Sequence, residues 1–409
     1  MTMLSQTRYR WLVLGAATLS QTSAAFVTQG LAVLAGFIQE QFQLSGVEVG
    51  FLFTASSLVP VFTLLFVGNL LDLKSERIIV GAGSVMIAMG LAIACFASSF
   101  PVLLLALLII GAGYSTIQPG GSRSVSNWFR NKELGIAMGI RQAGLPLGGA
   151  AAGLFIPYFV HHDNLRGAFS FCLLVVLVGG MIFYAIYKAP ASTLSHSQRP
   201  VLSALLVFRM LKKPWMLKIT IFGGVLVGIQ YGIVVNLMLF LRDVHHVALN
   251  KGAKILALAQ LCGGVGRIAL AALGDFKGSE HHRFLPVYLS FFATALGLLT
   301  LLVLPVSTPI AILAIVAVWL GFFGMGWYGP WVAYIAYASP KESLGLALGI
   351  AMAVNQIAIV TTLPLLGKLY DTTGSYSSVW LFMILAQAAA LVAFKLSSKY
   401  LSSKSPSID

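Results

Sequence analysis

Three arginines stand inside long apolar runs: Arg123, Arg141 and Arg267. Placing a guanidinium near the middle of a bilayer costs at least about 2.5–3.5 kcal/mol, so a residue kept there has a function to explain it. Its donors form a rigid fork that fits a carboxylate or another oxyanion with two parallel hydrogen bonds. The plain alternative is a side chain that snorkels to the membrane surface or pairs with an acid. Acids at that depth are missing. The twelve, Glu40, Glu48, Asp72, Glu76, Glu133, Asp163, Asp243, Asp275, Glu280, Glu342, Asp371 and Asp409, fall in loops or at the ends of apolar runs, and so do the seven histidines. An uncompensated positive site of this kind favours an anionic ligand. Any coupled proton would ride on that ligand or on a peripheral carboxylate such as Glu48. Cys95, Cys172 and Cys262 lie in apolar runs and read as small core residues, with no metal-ligand spacing. Glycine clusters also sit in apolar runs rather than after strands, and GxxxxGK[ST] is absent. Neither a cofactor nor an enzymatic site is expected.

The elements that must position these arginines are membrane spans. Of the 409 residues, 58% are hydrophobic and only 9% charged, and mean hydropathy is +0.90. A soluble domain carries about 25% charged residues, so most of this surface must face lipid. A span takes about 20 apolar residues. Twelve fit, at 10–38, 47–71, 78–98, 101–127, 134–160, 167–188, 215–241, 252–274, 284–304, 309–337, 343–370 and 377–400. The first follows Arg8 and Arg10 and is too long for a signal-peptide core. Unbroken runs such as 102–113 argue against a barrel, whose strands alternate. The long polar stretch, residues 190–214, reads as a linker between two six-span bundles, 1–189 and 215–409.

The net charge of +14 is a topology signal. With the N-terminus inside, the inner segments carry 18 lysines and arginines, among them Arg8, Arg10, Arg130, Lys132, Arg199, Lys277 and Lys404, and the outer ones 5. The positive-inside rule then places both termini in the cytoplasm, and no nucleic-acid partner is needed to explain the charge.

The two bundles repeat. Leu134-Gly-Ile-Ala-Met-Gly-Ile140 recurs as Leu344-Gly-Leu-Ala-Leu-Gly-Ile350, an offset of 210, and Gly111 matches Gly321 at the same offset. Pro119 matches Pro330 one residue later, and both read as kinks. Gly68-x-x-x-Asp72 has a looser partner ending at Asp275. Parallel repeats place a ligand site near the midplane between the halves. The pairs Gly135/Gly139, Gly149/Gly153 and Gly345/Gly349 read as close helix packing.

On these residues the sequence resembles the major facilitator superfamily over nearly its whole length. The loop signature of that family, Gly-x-x-x-Asp-Arg-x-Gly-Arg-Arg, appears as Gly68-Asn-Leu-Leu-Asp72-Leu73-Lys74-Ser75-Glu76-Arg77, with departures at Leu73, Ser75 and Glu76. Gly266-Arg267 followed by Gly274-Asp275 is similar to a pattern of nitrate/nitrite, oxalate/formate and monocarboxylate carriers, with Ala271 where those have glycine. The segment from Arg141 and Gln142 to Gly148 and Gly149 resembles cyanate/nitroimidazole permeases. The resemblance implies an all-α membrane protein of twelve transmembrane helices in two six-helix parallel repeats. It implies gating by Gly68, Asp72, Arg77, Gly274 and Asp275, with Asp72 meeting Arg77 or the start of span 11. It also implies a cavity lined by spans 1, 4, 7 and 10, to which Gln21, Tyr114, Gln118, Gln230, Tyr231, Trp327 and Tyr328 belong, with Asn355 and Gln356 from span 11.

The expectation is a secondary transporter of a small organic anion, a mono- or dicarboxylate, in a bacterial cytoplasmic membrane. It works as a monomer by proton symport or exchange with a counter-anion, with Arg141 and Arg267 forming one fork from opposite halves. Arg123, near Trp128 and Arg130, reads as an interface residue. The alternatives are an efflux carrier for drug- or siderophore-like molecules, though a cation-extruding drug pump usually needs a membrane carboxylate, and a transport-dead sensor or scaffold.

Overall fold

The computed structural model describes residues 3–44, 46–129, 133–190, 204–275 and 280–403. Arg130, Lys132, most of the linker with Arg199, Lys277, Lys404 and Asp409 lie outside them. The helices are α1 (Met3–Phe42), α2 (Gly46–Leu73), α3 (Glu76–Cys95), α4 (Phe100–Trp128), α5 (Leu134–Ile186), α6 (Ala204–Leu211), α7 (Pro214–Asp243), α8 (Leu249–Asp275), α9 (Glu280–Val303), α10 (Ile310–Gly324), α11 (Tyr328–Ala338), α12 (Leu344–Thr373) and α13 (Tyr376–Ser403). With no water in the hydrocarbon, a helix satisfies its own backbone groups, which is why so apolar a chain is almost wholly helical.

Twelve spans result, in the two parallel repeats read from the sequence. The element α5 holds two of them. Asn164 breaks it with φ 59° and ψ −170°, and its side chain accepts from the Arg166 amide at 2.8 Å, closing the turn. The tenth span is broken into α10 and α11 at Met325–Trp327. The expected kink at Pro330 is thus realised a turn earlier, with Pro330 in the first turn of α11, where its missing N–H is harmless. Pro119 lies within the unbroken α4. Large apolar side chains such as Phe62, Phe66, Leu154 and Leu285 are exposed on the outer surface, as a lipid-facing belt requires.

The first six spans meet the last six along two seams, α2 with α12 and α5 with α8. Both seams are tight near the face where α1 begins, called here the terminal face. A Cβ on Gly68 would lie 2.6 Å from the Gly345 carbonyl, and one on Gly139 2.5 Å from the Arg267 carbonyl. Only glycine allows that approach. Further along α5 the seam loosens. A Cβ on Gly149 would lie 3.9 Å from the Gln260 Oε1 of α8, though only 3.3 Å from the Gln29 Cβ of α1, and Gly153 faces open space. Of the expected packing pair Gly149/Gly153, Gly149 packs closely against α1 and Gly153 does not pack, whereas both members of Gly135/Gly139 and Gly345/Gly349 pack across the seams. The halves are wedged together at the terminal face and diverge toward the other.

Candidate substrate site

Two aspartates hold the closed end. Asp72, at the end of α2, accepts from the backbone amides of Gly345 and Leu346, each at 2.9 Å, in the first turn of α12. Asp275, at the end of α8, accepts from those of Gly135 and Ile136, each at 3.0 Å, in the first turn of α5. Each half thus caps a helix of the other, where free amides and the positive end of the helix dipole favour a carboxylate. Of the two partners expected for Asp72, the start of span 11 is present. Arg77 turns away and lays its guanidinium 4.2 Å from the Tyr184 ring centroid. Arg123 takes its place, 3.4 Å from Asp72 and 3.3 Å from Glu76. That corrects the reading of Arg123 as an interface residue, and Glu76, one of the three residues departing from the family signature, is one of its partners. Glu76 also accepts from Asn127 and Tyr187 at 2.9 and 3.0 Å. Arg283 stands 3.4 Å from Asp275. Gly274 has no close neighbour; a Cβ there would lie 3.4 Å from the Arg283 carbonyl. The sequence put these acids at span ends, but not buried there, as Asp275 and Glu76 are.

Where the seams part, a central cavity opens. Its polar lining is Tyr114, Ser115 and Gln118 from α4, Gln230 and Tyr231 from α7, Arg267 from α8, Tyr328 from α11, and Asn355 and Gln356 from α12. Spacing of three or four residues puts Tyr114 with Gln118, and Asn355 with Ile359, on one face of their helices. Pro60 and Leu64 of α2, Leu145 of α5, Val227 and Met352 supply an apolar wall. A second cavity, farther from the terminal face, shares Leu145, Gln230, Tyr231 and Arg267, and adds Gln29 and Gln260. Arg267 stands between the two.

Eight of the eleven residues expected at the site line the first cavity. Arg141, Gln21 and Trp327 do not. Arg141 is enclosed by its own half. It donates from Nη1 to Ser122 at 2.9 Å, and from Nη2 to Gln21 Oε1 at 2.9 Å and the Ile117 carbonyl at 2.7 Å. Its expected fork with Arg267 is absent because these acceptors hold it inside the contact of α1, α4 and α5. Trp327 is likewise buried, donating to Gln230 Oε1 at 2.9 Å and so orienting that amide toward the cavity. Asn236 turns back on the Gly232 carbonyl at 2.9 Å.

Arg267 is different. Only 2% of it is exposed, yet it reaches across the halves. Nε donates to the Met325 carbonyl at 3.1 Å, freed by the break before α11, and Nη1 to the Gln142 carbonyl of α5 at 2.9 Å. Its guanidinium carbon lies 5.4 Å from the Tyr328 ring centroid. Nη2 has no hydrogen bond among the described residues, and no acid lines either cavity. Sequence reasoning missed Gln260, although it stands two turns before Arg267 on the same face, and the apolar wall of α2, which carries no chemical signal beyond Pro60 inside a span.

Twelve spans, two repeats, reciprocal caps at one face and a polar cavity between the halves are the features of a membrane carrier of small molecules. The chain belongs to the Major Facilitator Superfamily, whose family model matches residues 17–361. It is similar to an uncharacterized MFS-type transporter of Mycobacterium tuberculosis, 26% identical over 91% of this chain and 81% of that one. It is also similar to a probable galactarate/D-glucarate transporter of Bacillus subtilis, at 22% over 90% and 87%, and to monocarboxylate transporter 13 of Bos taurus, at 25% over 76% and 71%. Among solved structures, the MFS transporter FucP superposes with a TM-score of 0.74 at 15% identity, covering 93% of this chain and 98% of that one. That likeness shows the fold.

Proposed function

We propose that the chain is a secondary transporter that carries a small organic anion by alternating access, with Arg267 as the carboxylate contact. The observation that carries this reading is the free Nη2 of a buried arginine in a cavity without an acid. A charge so placed is costly until an anion offsets it. The names of the relatives from Bacillus subtilis and Bos taurus, transporters of galactarate or D-glucarate and of monocarboxylates, support an organic acid. The bundles 1–189 and 215–409 rock about the cavity, and Asp72 and Asp275 release α12 and α5 when the terminal face opens. By the positive-inside count that face is cytoplasmic, and the membrane is the bacterial inner membrane.

The anion also supplies coupling. Its carboxylate competes for the donors that Arg267 now spends on Gln142 across the seam, so binding loosens the closed end. Counterflow in proteoliposomes loaded with organic acids tests the reading. Wild type exchanges labelled acid and Arg267→Ala does not. Arg267→Lys, which keeps the charge and loses the fork, retains a small fraction. Undiminished exchange by Arg267→Ala would remove the site.

A further inference from the structure

The central cavity asks for more than a carboxylate. Asn355, 3% exposed, leaves both Oδ1 and Nδ2 without a hydrogen bond among the described residues, and Gln118 leaves Oε1 so. Both side chains line the cavity that holds Arg267. For Asn355 the result does not depend on which way the amide is turned, since both ends are unmatched. For Gln118 the Tyr114 hydroxyl, 3.3 Å from the amide, can donate or accept, so the unmatched end is Oε1 as placed and Nε2 with the amide turned. Buried polar atoms in native proteins are nearly always paired, and an unpaired one has a reason.

Whichever way the amides are turned, Asn355 Oδ1 is an unmatched acceptor. A carboxylate is acceptor-only. It can satisfy Arg267 Nη2 and the amide nitrogen of Asn355, but neither Asn355 Oδ1 nor, as placed, Gln118 Oε1. The occupant must therefore present donors too. Ammonium donors would bring a second positive charge beside Arg267, with Arg141 buried in the opposite half and no acid lining the cavity. A hydroxyl donates and accepts at once without charge, and so matches both ends of Asn355.

We propose that the transported anion is a hydroxy acid, its carboxylate on Arg267 and its hydroxyls read by Asn355 and Gln118. This rests on the anion-carrier reading and names the substrate class within it. Discrimination follows from the asymmetry of hydrogen bonding. A site built for a hydroxyl rejects an analogue lacking it far more strongly than an apolar pocket rejects an extra hydroxyl.

The test is binding to the purified full chain, by calorimetry or thermal shift, of two matched pairs: glycerate with propionate, and gluconate with hexanoate. Glucose and 6-aminohexanoate complete the set. Wild type is expected to bind the hydroxylated member of at least one pair 10-fold or more tighter, on the order of 1.4 kcal/mol. Asn355→Leu is expected to erase that preference by weakening the hydroxy acid and leaving the plain acid unchanged. Gln118→Met gives the same readout should Asn355→Leu not fold. Equal binding within both pairs, an unaltered preference in the variants, or a preference for 6-aminohexanoate would overturn the hydroxyl assignment while leaving the anion carrier standing. Should no acid bind, or glucose bind as tightly as gluconate, the anion-carrier reading falls and this inference with it.

Discussion

Arg141 and Arg267 are both almost fully buried, both on a seam helix and both without a carboxylate within ion-pair reach among the described residues. Their surroundings separate them. Every acceptor of Arg141 comes from α1 and α4, in its own half. Arg267 divides its donors between the break before α11 and a carbonyl of the opposite half, and keeps one nitrogen for the cavity. A costly buried charge marks importance in both cases. Arg141 leaves its Nε unpaired inside its own half, whereas the unused nitrogen of Arg267 belongs to a residue that lines the cavity. Arg141 fastens helices within a half, and Arg267 sits where the two halves meet at the cavity.

The largest effects separate the two most sharply. Arg267→Ala is expected to weaken substrate binding by about 100-fold or more, since a buried hydrogen bond to a charged partner is lost together with the charge, and also to lower the melting temperature of the empty protein, since it strands the Met325 and Gln142 carbonyls. Arg141→Ala should cost stability alone, about 2–4 kcal/mol through the cavity and the stranded acceptors, with near-native affinity in the folded fraction. Melting curves and calorimetry on both variants check this, and equal losses of affinity would abolish the distinction.

The seams offer the next contrast. Gly139→Leu must push α8 away, because a Cβ would meet the Arg267 carbonyl at 2.5 Å, whereas Gly153→Leu enters open space. The first is expected to expose the terminal face to maleimide labelling of an introduced cysteine and to lower the yield of folded protein. The second should behave as wild type. Smaller again are the caps. Asp72→Asn and Asp275→Asn should each shift the population toward opening at the terminal face, by about 0.5–2 kcal/mol as for other helix caps, read by distance measurements across that face. Similar shifts for the two would show the caps to be equivalent despite their different ion pairs. Least of all is Arg77→Ala. It removes a stacking contact on Tyr184 worth about 0.5–1 kcal/mol and should leave the opening equilibrium untouched.

Much of the site was legible. Arg267 stood out because an arginine in an apolar span needs a reason, and Tyr114, Gln118, Gln230, Tyr231, Tyr328, Asn355 and Gln356 stood out as polar residues in the same runs. Asp72 and Asp275 were legible through their repeat spacing and the family signature. Arg141 carries the same signal as Arg267, and the sequence offered no means of telling them apart. Gln21 and Trp327 were misplaced for a related reason. A polar group within a span can satisfy a neighbour as readily as a ligand, and which it does depends on atoms that other helices bring. Arg123 was read from its neighbours in sequence, Trp128 and Arg130, while its partners Asp72 and Glu76 lie some fifty residues away.

The sequence by itself determined the solvent and the architecture. With 58% hydrophobic and 9% charged residues, the chain has to lie in lipid. In lipid the backbone has to be helical, and the repeat of Leu134–Ile140 at Leu344–Ile350 makes the halves alike. These are sums over many residues, insensitive to where any single atom goes. What only the tertiary structure decided is which charge is spent and which is left over: the turn of Arg77 onto Tyr184, the enclosure of Arg141, and the unpaired edges of Arg267, Asn355 and Gln118 around one cavity. Hydrogen bonding acts over about 3 Å, and at that range the outcome rests on contacts between spans that lie far apart in the chain.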